Sequence, residues 1–142
     1  MNTFLAEVAA RTPAPGGGAV AAMTAASAAA LVSMAARFSS SAPVAEAGDE
    51  LRARLVQLAS DDAAAYTAVL ASRGEARREA MRAATEVPRA IAAAAAEVEA
   101  LAHDLVANGN PRLLGDARVA ELLAEAAGKA ADVLVEINTG AM

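Results

Sequence analysis

Two aspartates and a run of three glycines are the residues of this 142-residue chain best suited to chemistry. Asp62 falls on the stripe Leu51, Leu55, Leu58, Asp62, Ala65 and Val69, whose alternating spacings of four and three place all six on one face of a helix. A carboxylate on an otherwise apolar stripe is costly to bury alone. It calls for a cation partner, a raised pKa or a wet pocket, and the last two are conditions under which a carboxyl transfers protons. Asp116 stands where a helix N-cap would sit, and capping alone explains it; it also precedes Val119 and Leu123 at helical spacing and so points along the side expected to be buried. The third element is Thr12-Pro13-Ala14-Pro15-Gly16-Gly17-Gly18, which runs directly into the uncharged segment from Ala19 to Ala36. Two prolines stiffen the approach, three glycines strip the turn of side chains, and helix formers follow at once. The expected product is a bare helix N-terminus whose free N–H groups can meet an anionic or carbonyl group; a plain flexible turn is the simpler alternative. No Lys-Ser or Lys-Thr pair follows the glycines and no apolar strand precedes them, which excludes a nucleotide P-loop or a dinucleotide fingerprint.

These residues must be carried by helices. Roughly a third of the chain is alanine, aromatic and β-branched residues are few, and the length suits a single domain over residues 1–142. An all-α fold is expected, an antiparallel multi-helix bundle. With so little aromatic bulk the helices must approach closely or self-associate to bury enough surface. The patterning gives a short amphipathic helix over 3–11, a small-residue helix from Gly17 to Ser40 that is apolar or neutral on every side until Arg37, a turn over Ser39–Pro43, and a helix from Val44 to Ser72. Gly74 then breaks the chain before a charged helix from Glu75 to Glu86. Pro88 starts or kinks the next, Arg89 to Ala107, with Ile91, Val98, Leu101 and Leu105 inward. Asn108-Gly109-Asn110-Pro111 is a stop, and a last helix runs from Gly115-Asp116 through Val119, Leu122, Leu123, Ala126, Ala130, Val133 and Ile137 to a frayed end at Thr139–Met142.

Composition narrows the function classes. A net charge of −5 with dispersed basic residues argues against nucleic acid. The absence of cysteine removes disulfides and thiolate chemistry, and the lone His103 near a helix end is expected to be solvated rather than catalytic. The Ala19 to Ala36 segment has the length of a membrane span, but Ala, Ser, Thr and Met make it weakly hydrophobic, and no basic region precedes it as in a signal peptide. A soluble cytoplasmic protein, without a membrane partner, is the expectation.

Taken together, Phe4-Leu5, Ala9-Ala10-Arg11, Pro13-Ala14-Pro15-Gly16-Gly17-Gly18, Ser33-Met34, Asp62-Ala63-x-Ala65-Tyr66, Val87-Pro88, Gly109-Asn110, Asp116 and Asn138 resemble the cyclodeaminase/cyclohydrolase family, over nearly the whole chain. The resemblance implies a dimerising helical bundle with a folate site at the glycine loop near the subunit interface. It implies either loss of ammonia from 5-formiminotetrahydrofolate with closure to 5,10-methenyltetrahydrofolate, or hydrolytic opening of the methenyl ring. Asp62 and Asp116 would be the proton-transfer groups, and Pro15, Gly16, Gly17, Gly18, Asn110 and Asn138 would bind the folate. A tetrahydrofolate derivative enters as substrate; no metal and no bound cofactor are expected. Ala19 and Gly115 stand where the family usually has serine, Leu134 where it has asparagine, and relatives continue through another long helix after Asn138. Without such a helix the apolar face of Val119 to Ile137 would be exposed unless a partner chain covers it. The contrasting expectation is a diverged helical dimer that has lost catalysis and serves as a binding or scaffold module.

Overall fold

In the computed structural model, which describes residues 1–140, five α-helices form an antiparallel bundle: α1 (Asn2–Ala9), α2 (Gly17–Phe38), α3 (Ala42–Ala71), α4 (Gly74–Asn108) and α5 (Leu114–Thr139), with a 3₁₀ turn at Pro111–Leu113. No strand occurs among the described residues. The expected frayed end falls partly on 141–142, outside the described residues. Short connections force α2 to α5 to run up and down beside one another. At the α3–α4 junction Gly74 adopts a φ of 58°, the left-handed conformation that glycine tolerates without a Cβ clash.

Helix α2 is the centre. It packs against α3, α4 and α5, and Ala19, Ala22, Ala25, Ala29, Val32 and Ala36 along it are fully or almost fully buried. Its length and mean hydropathy of 1.8 would suit a membrane span, but 61% of its most apolar window is enclosed by the other helices. Small side chains let backbones approach, and Gly48 shows how closely. A Cβ there would lie 2.5 Å from Ser33 Oγ and 3.2 Å from the Ala29 carbonyl oxygen, so α3 crosses α2 where glycine leaves the space. The Ser33 hydroxyl, buried at that crossing, is within hydrogen-bonding reach of the carbonyls of Ala29 at 3.1 Å and Ala45 at 3.3 Å.

Two expectations are corrected. First, the segments proposed as Glu75–Glu86 and Arg89–Ala107 are one helix, and Pro88 lies inside it. The Pro88 ring is buried in the bundle, and that packing holds the helix together across the missing N–H, leaving the Ala84 carbonyl without its usual donor four residues on. Second, α5 is turned the other way. Its buried face is the alanine row Ala117, Ala120, Ala124, Ala127 and Ala131, while Val119, Leu122, Val133 and Ile137 are between 44% and 55% exposed. Alanines are what a helix needs to sit close to the alanine-rich α2 and α4; the larger residues are left outside.

Candidate active site

The glycine run begins α2 as expected. Gly16 is the residue before the helix, with extended backbone angles, and the first helical bond is from the Val20 N–H to the Gly16 carbonyl at 3.0 Å. The N–H groups of Gly17, Gly18 and Ala19 therefore have no intrahelical acceptor. Asp62 approaches one of them: the Ala19 N–H lies against its carboxylate and favours its charged form. None of the ion pairs among the described residues includes Asp62. Half-buried and without a cation, its carboxyl is pushed above the ordinary value of 3.8 by burial, with the Ala19 N–H pulling more weakly the other way.

Asp62 and the loop share a cavity of about 350 Å³. Gly16, Gly17 and Gly18 form one wall, Asp62 and Tyr66 of α3 a second, Ala84 and Pro88 of α4 a third, and Leu134, Ile137 and Asn138 close it from α5. Tyr66, one turn beyond Asp62, is the chain's only tyrosine; the i, i+4 spacing could have announced it as a wall residue. Ala84 and Pro88 gave no such signal, because alanine is unremarkable in this sequence and Pro88 read as a helix boundary. The Ala84 carbonyl, which Pro88 deprives of its donor four residues on, thus belongs to a residue lining the cavity.

Of the residues expected in the site, Asp62, Gly16, Gly17, Gly18 and Asn138 come together, and three others lie elsewhere in the chain. Pro15 faces a different, shallower hollow beside Phe4 and Met23. Asn110 ties the α4–α5 connection to the far end of α2: its N–H donates to Ser39 Oγ and its amide to the Phe38 carbonyl, both at 2.9 Å, while its Oδ1 accepts from the Arg112 N–H at 3.0 Å. That is the opposite end of a 22-residue helix from Gly17, about 30 Å away. Asp116 is in the first turn of α5, not at its N-cap, because the 3₁₀ turn starts the helix earlier; Leu113 holds the cap position. Some 30 Å of α5 separate it from Asn138. His103 pairs with Glu121 across α4 and α5 at 2.7 Å, on the surface and away from the cavity.

The profile of the family described as formiminotransferase-cyclodeaminase matches residues 1–142, the full chain. The chain belongs to this family. Methenyltetrahydrofolate cyclohydrolase of Methylorubrum extorquens is 33% identical over 162 aligned positions, covering 97% of this chain and 78% of the relative. The crystal structure of formiminotetrahydrofolate cyclodeaminase from Thermotoga maritima superposes with a TM-score of 0.95 at 29% identity, over 100% of this chain and 79% of that one. The formiminotransferase-cyclodeaminase fold is thus kept throughout α1 to α5. Within it, Ala19 brings a backbone N–H near Asp62 but no hydroxyl, and Leu134 makes one cavity wall apolar.

Proposed function

We propose that this chain acts on the one-carbon unit of a tetrahydrofolate derivative, with the Asp62 carboxyl moving the proton. The observation that carries this reading is a half-buried carboxyl, free of cations and raised in pKa, facing a cavity walled by a glycine helix N-terminus. A raised pKa brings the acid and base forms closer to neutral pH, which suits a group that must both give and take a proton. In ring closure, N10 of a 5-formimino derivative attacks the formimino carbon and gives up its proton, the former imino nitrogen on the resulting tetrahedral carbon is protonated, and it leaves as ammonia to give the 5,10-methenyl ring. In hydrolysis, water adds to the methenyl carbon, a proton passes to the carboxylate, and one C–N bond opens to the formyl product. Donors from Gly17 and Gly18 would meet the ligand at its carbonyl or anionic groups. The cyclohydrolase and cyclodeaminase relatives support one chemistry each.

The test is to supply 5-formiminotetrahydrofolate and, separately, the methenyl compound and follow methenyl absorbance. Turnover of either by the wild type, lost in Asp62→Asn with the fold intact, supports the reading and names the reaction. Turnover that survives Asp62→Asn overturns it.

A homodimer would bring Asp116 into the same chemistry. Val119, Leu122, Ala126, Ala130, Val133 and Ile137 form one exposed apolar row on α5. A two-fold axis at its midpoint pairs two α5 helices antiparallel and lays the partner's Asp116 beside Asn138 of this chain. Asp116 and Leu134 are 18 residues apart, five helical turns, and so project from the same side of α5. Mixing Asp62→Asn with Asp116→Asn chains tests this: a composite site regains part of its turnover in the mixed dimer, and a site built within one chain does not. A cytoplasmic location fits this chemistry and stands as part of the proposal.

A further inference from the structure

Pro88 does more than fill space. A proline has no N–H and its ring crowds the carbonyl four residues earlier, so inside a helix it removes a donor and tips that carbonyl away from the axis. The carbonyl concerned is that of Ala84, one turn before Pro88 and on the same face of α4. Ala84 and Pro88 together make the α4 wall of the 350 Å³ cavity, so the side on which the helix lacks its donor is the side that meets a ligand. Thr85, the one hydroxyl-bearing residue of α4, does not step in, because its Oγ1 already donates to the Met81 carbonyl at 2.8 Å.

The charge of the cavity points to the kind of group this carbonyl serves. Among the described residues lining it there is no lysine, arginine or histidine, and Asp62 is its one carboxyl. The free N–H groups of Gly17 and Gly18 are donors on the α2 side. A ligand group rich in N–H meets instead the Asp62 carboxyl on α3 and, on the neighbouring helix, the Ala84 carbonyl. A carbonyl oxygen carries two lone pairs, and with the helical donor gone it can accept from such a group.

We propose that the Ala84 carbonyl, opened by Pro88, accepts a hydrogen bond from the nitrogen that departs from the one-carbon unit, while Asp62 protonates that nitrogen. The proposal rests on the folate reading above, and it selects ammonia loss over hydrolysis. The departing nitrogen is an NH2 group in the tetrahedral intermediate and an ammonium group when its C–N bond breaks; the added proton is the one N10 gave up, delivered by Asp62. The carbonyl takes no proton. Its bond to the nitrogen is an ordinary one at first and becomes charge-assisted as the nitrogen turns into ammonium, and an interaction that strengthens towards the transition state raises the rate. Hydrolysis has no such use for it. The added water gives up both hydrogens and ends as a formyl oxygen, an acceptor with nothing to offer a second acceptor.

The experiment restores the missing donor. Pro88→Val and Pro88→Ala each give position 88 an N–H that closes on the Ala84 carbonyl; valine keeps the bulk of the ring and alanine is the better helix former, so one variant serves if the other fails to fold. Both are compared with the wild type in deamination of 5-formiminotetrahydrofolate, followed as methenyl absorbance, and in equilibrium binding of 5-formyltetrahydrofolate, which has an oxygen where the nitrogen departs. In the variants kcat for deamination is expected to fall roughly tenfold to a hundredfold, the size of a hydrogen bond to a charged group, with KM and the Kd of the formyl compound kept within about twofold. A parallel loss of deamination and of formyl binding means that the proline only shapes the wall, and unchanged deamination means that the carbonyl is idle; either overturns the proposal. Wild type that binds the formyl compound but does not deaminate the formimino compound also overturns it and leaves the folate reading standing. Folded wild type that fails to bind the formyl compound overturns the folate reading, and the role of the carbonyl with it.

Discussion

Gly18 and Asp62 occupy each other's space: a Cβ built on Gly18 would lie 2.1 Å from Asp62 Oδ1 and 2.4 Å from its carboxyl carbon. The last glycine of the run is therefore glycine because the carboxyl is seated against the first turn of α2. Gly16 and Gly17, by contrast, have nothing within 4 Å of where a Cβ would be. Gly18→Ala must push the carboxyl out of its seat, with a stability loss of about 1–3 kcal/mol as for other overpacked sites and loss of turnover. Gly17→Ala should fold at least as well as the wild type. Melting temperatures of Gly18→Ala, Asp62→Ala and the double variant form a cycle in which the penalty at Gly18 disappears once Asp62 is truncated.

The raised pKa of Asp62 gives a pH signature. The folded state holds this proton more tightly than the unfolded chain, so its contribution is fully present below the ordinary value of 3.8 and is lost as pH rises through the folded pKa. Asp62→Asn removes that dependence. The melting temperature of the variant relative to the wild type should therefore climb as pH is raised from 3.8 through the folded pKa, then level off. A flat difference across that window would mean that the carboxyl titrates alike in both states.

At the α2–α3 crossing, Gly48→Ala meets both a side chain, Ser33 Oγ, and a backbone atom, the Ala29 carbonyl oxygen. Ser33→Ala relieves only the first contact. Gly48→Ala should cost about 1–3 kcal/mol, and the double variant should recover part of the melting temperature but not all of it.

Asn110→Ala removes two side-chain bonds, one that fastens the α4–α5 connection to the Phe38 carbonyl at the end of α2 and one that accepts the Arg112 N–H within the connection itself. At about 1 kcal/mol each, the loss is about 2 kcal/mol, to be read by chemical denaturation. An unchanged midpoint would mean that the connection holds without them.

Much of this architecture was legible because large apolar residues mark a helix face. The Leu51, Leu55 and Val69 stripe, and Ile91, Val98 and Leu105 on α4, are buried where their spacing put them, and Asp62 stood out by interrupting such a row. The same rule misled on α5, where the larger residues face outward and alanines make the contact; alanine gives a periodicity no contrast in a chain so rich in it. Pro88 misled because a proline's cost within a helix is local, while the packing that offsets it comes from other helices. The spatial relations of the site, with Asp116 and Asn110 far from the glycines and Asn138 beside them, depend on which end of the bundle each residue reaches. Helical spacing gives a face but not an end.

The alanine interior has a consequence for how this protein can change by mutation. Single-base changes in an alanine codon lead to valine, threonine, serine, proline, glycine, aspartate or glutamate. At Ala22, Ala25, Ala28 and Ala29, with no exposed surface, almost every such step adds bulk, a polar group or a helix breaker. Cavity-forming lesions, the commonest injury to cores of leucine and phenylalanine, have few places to occur. Inherited variation should accordingly accumulate on the outward faces of α3, α4 and α5, leaving the α2 surface that meets them close to invariant in size even where the rest of the sequence drifts.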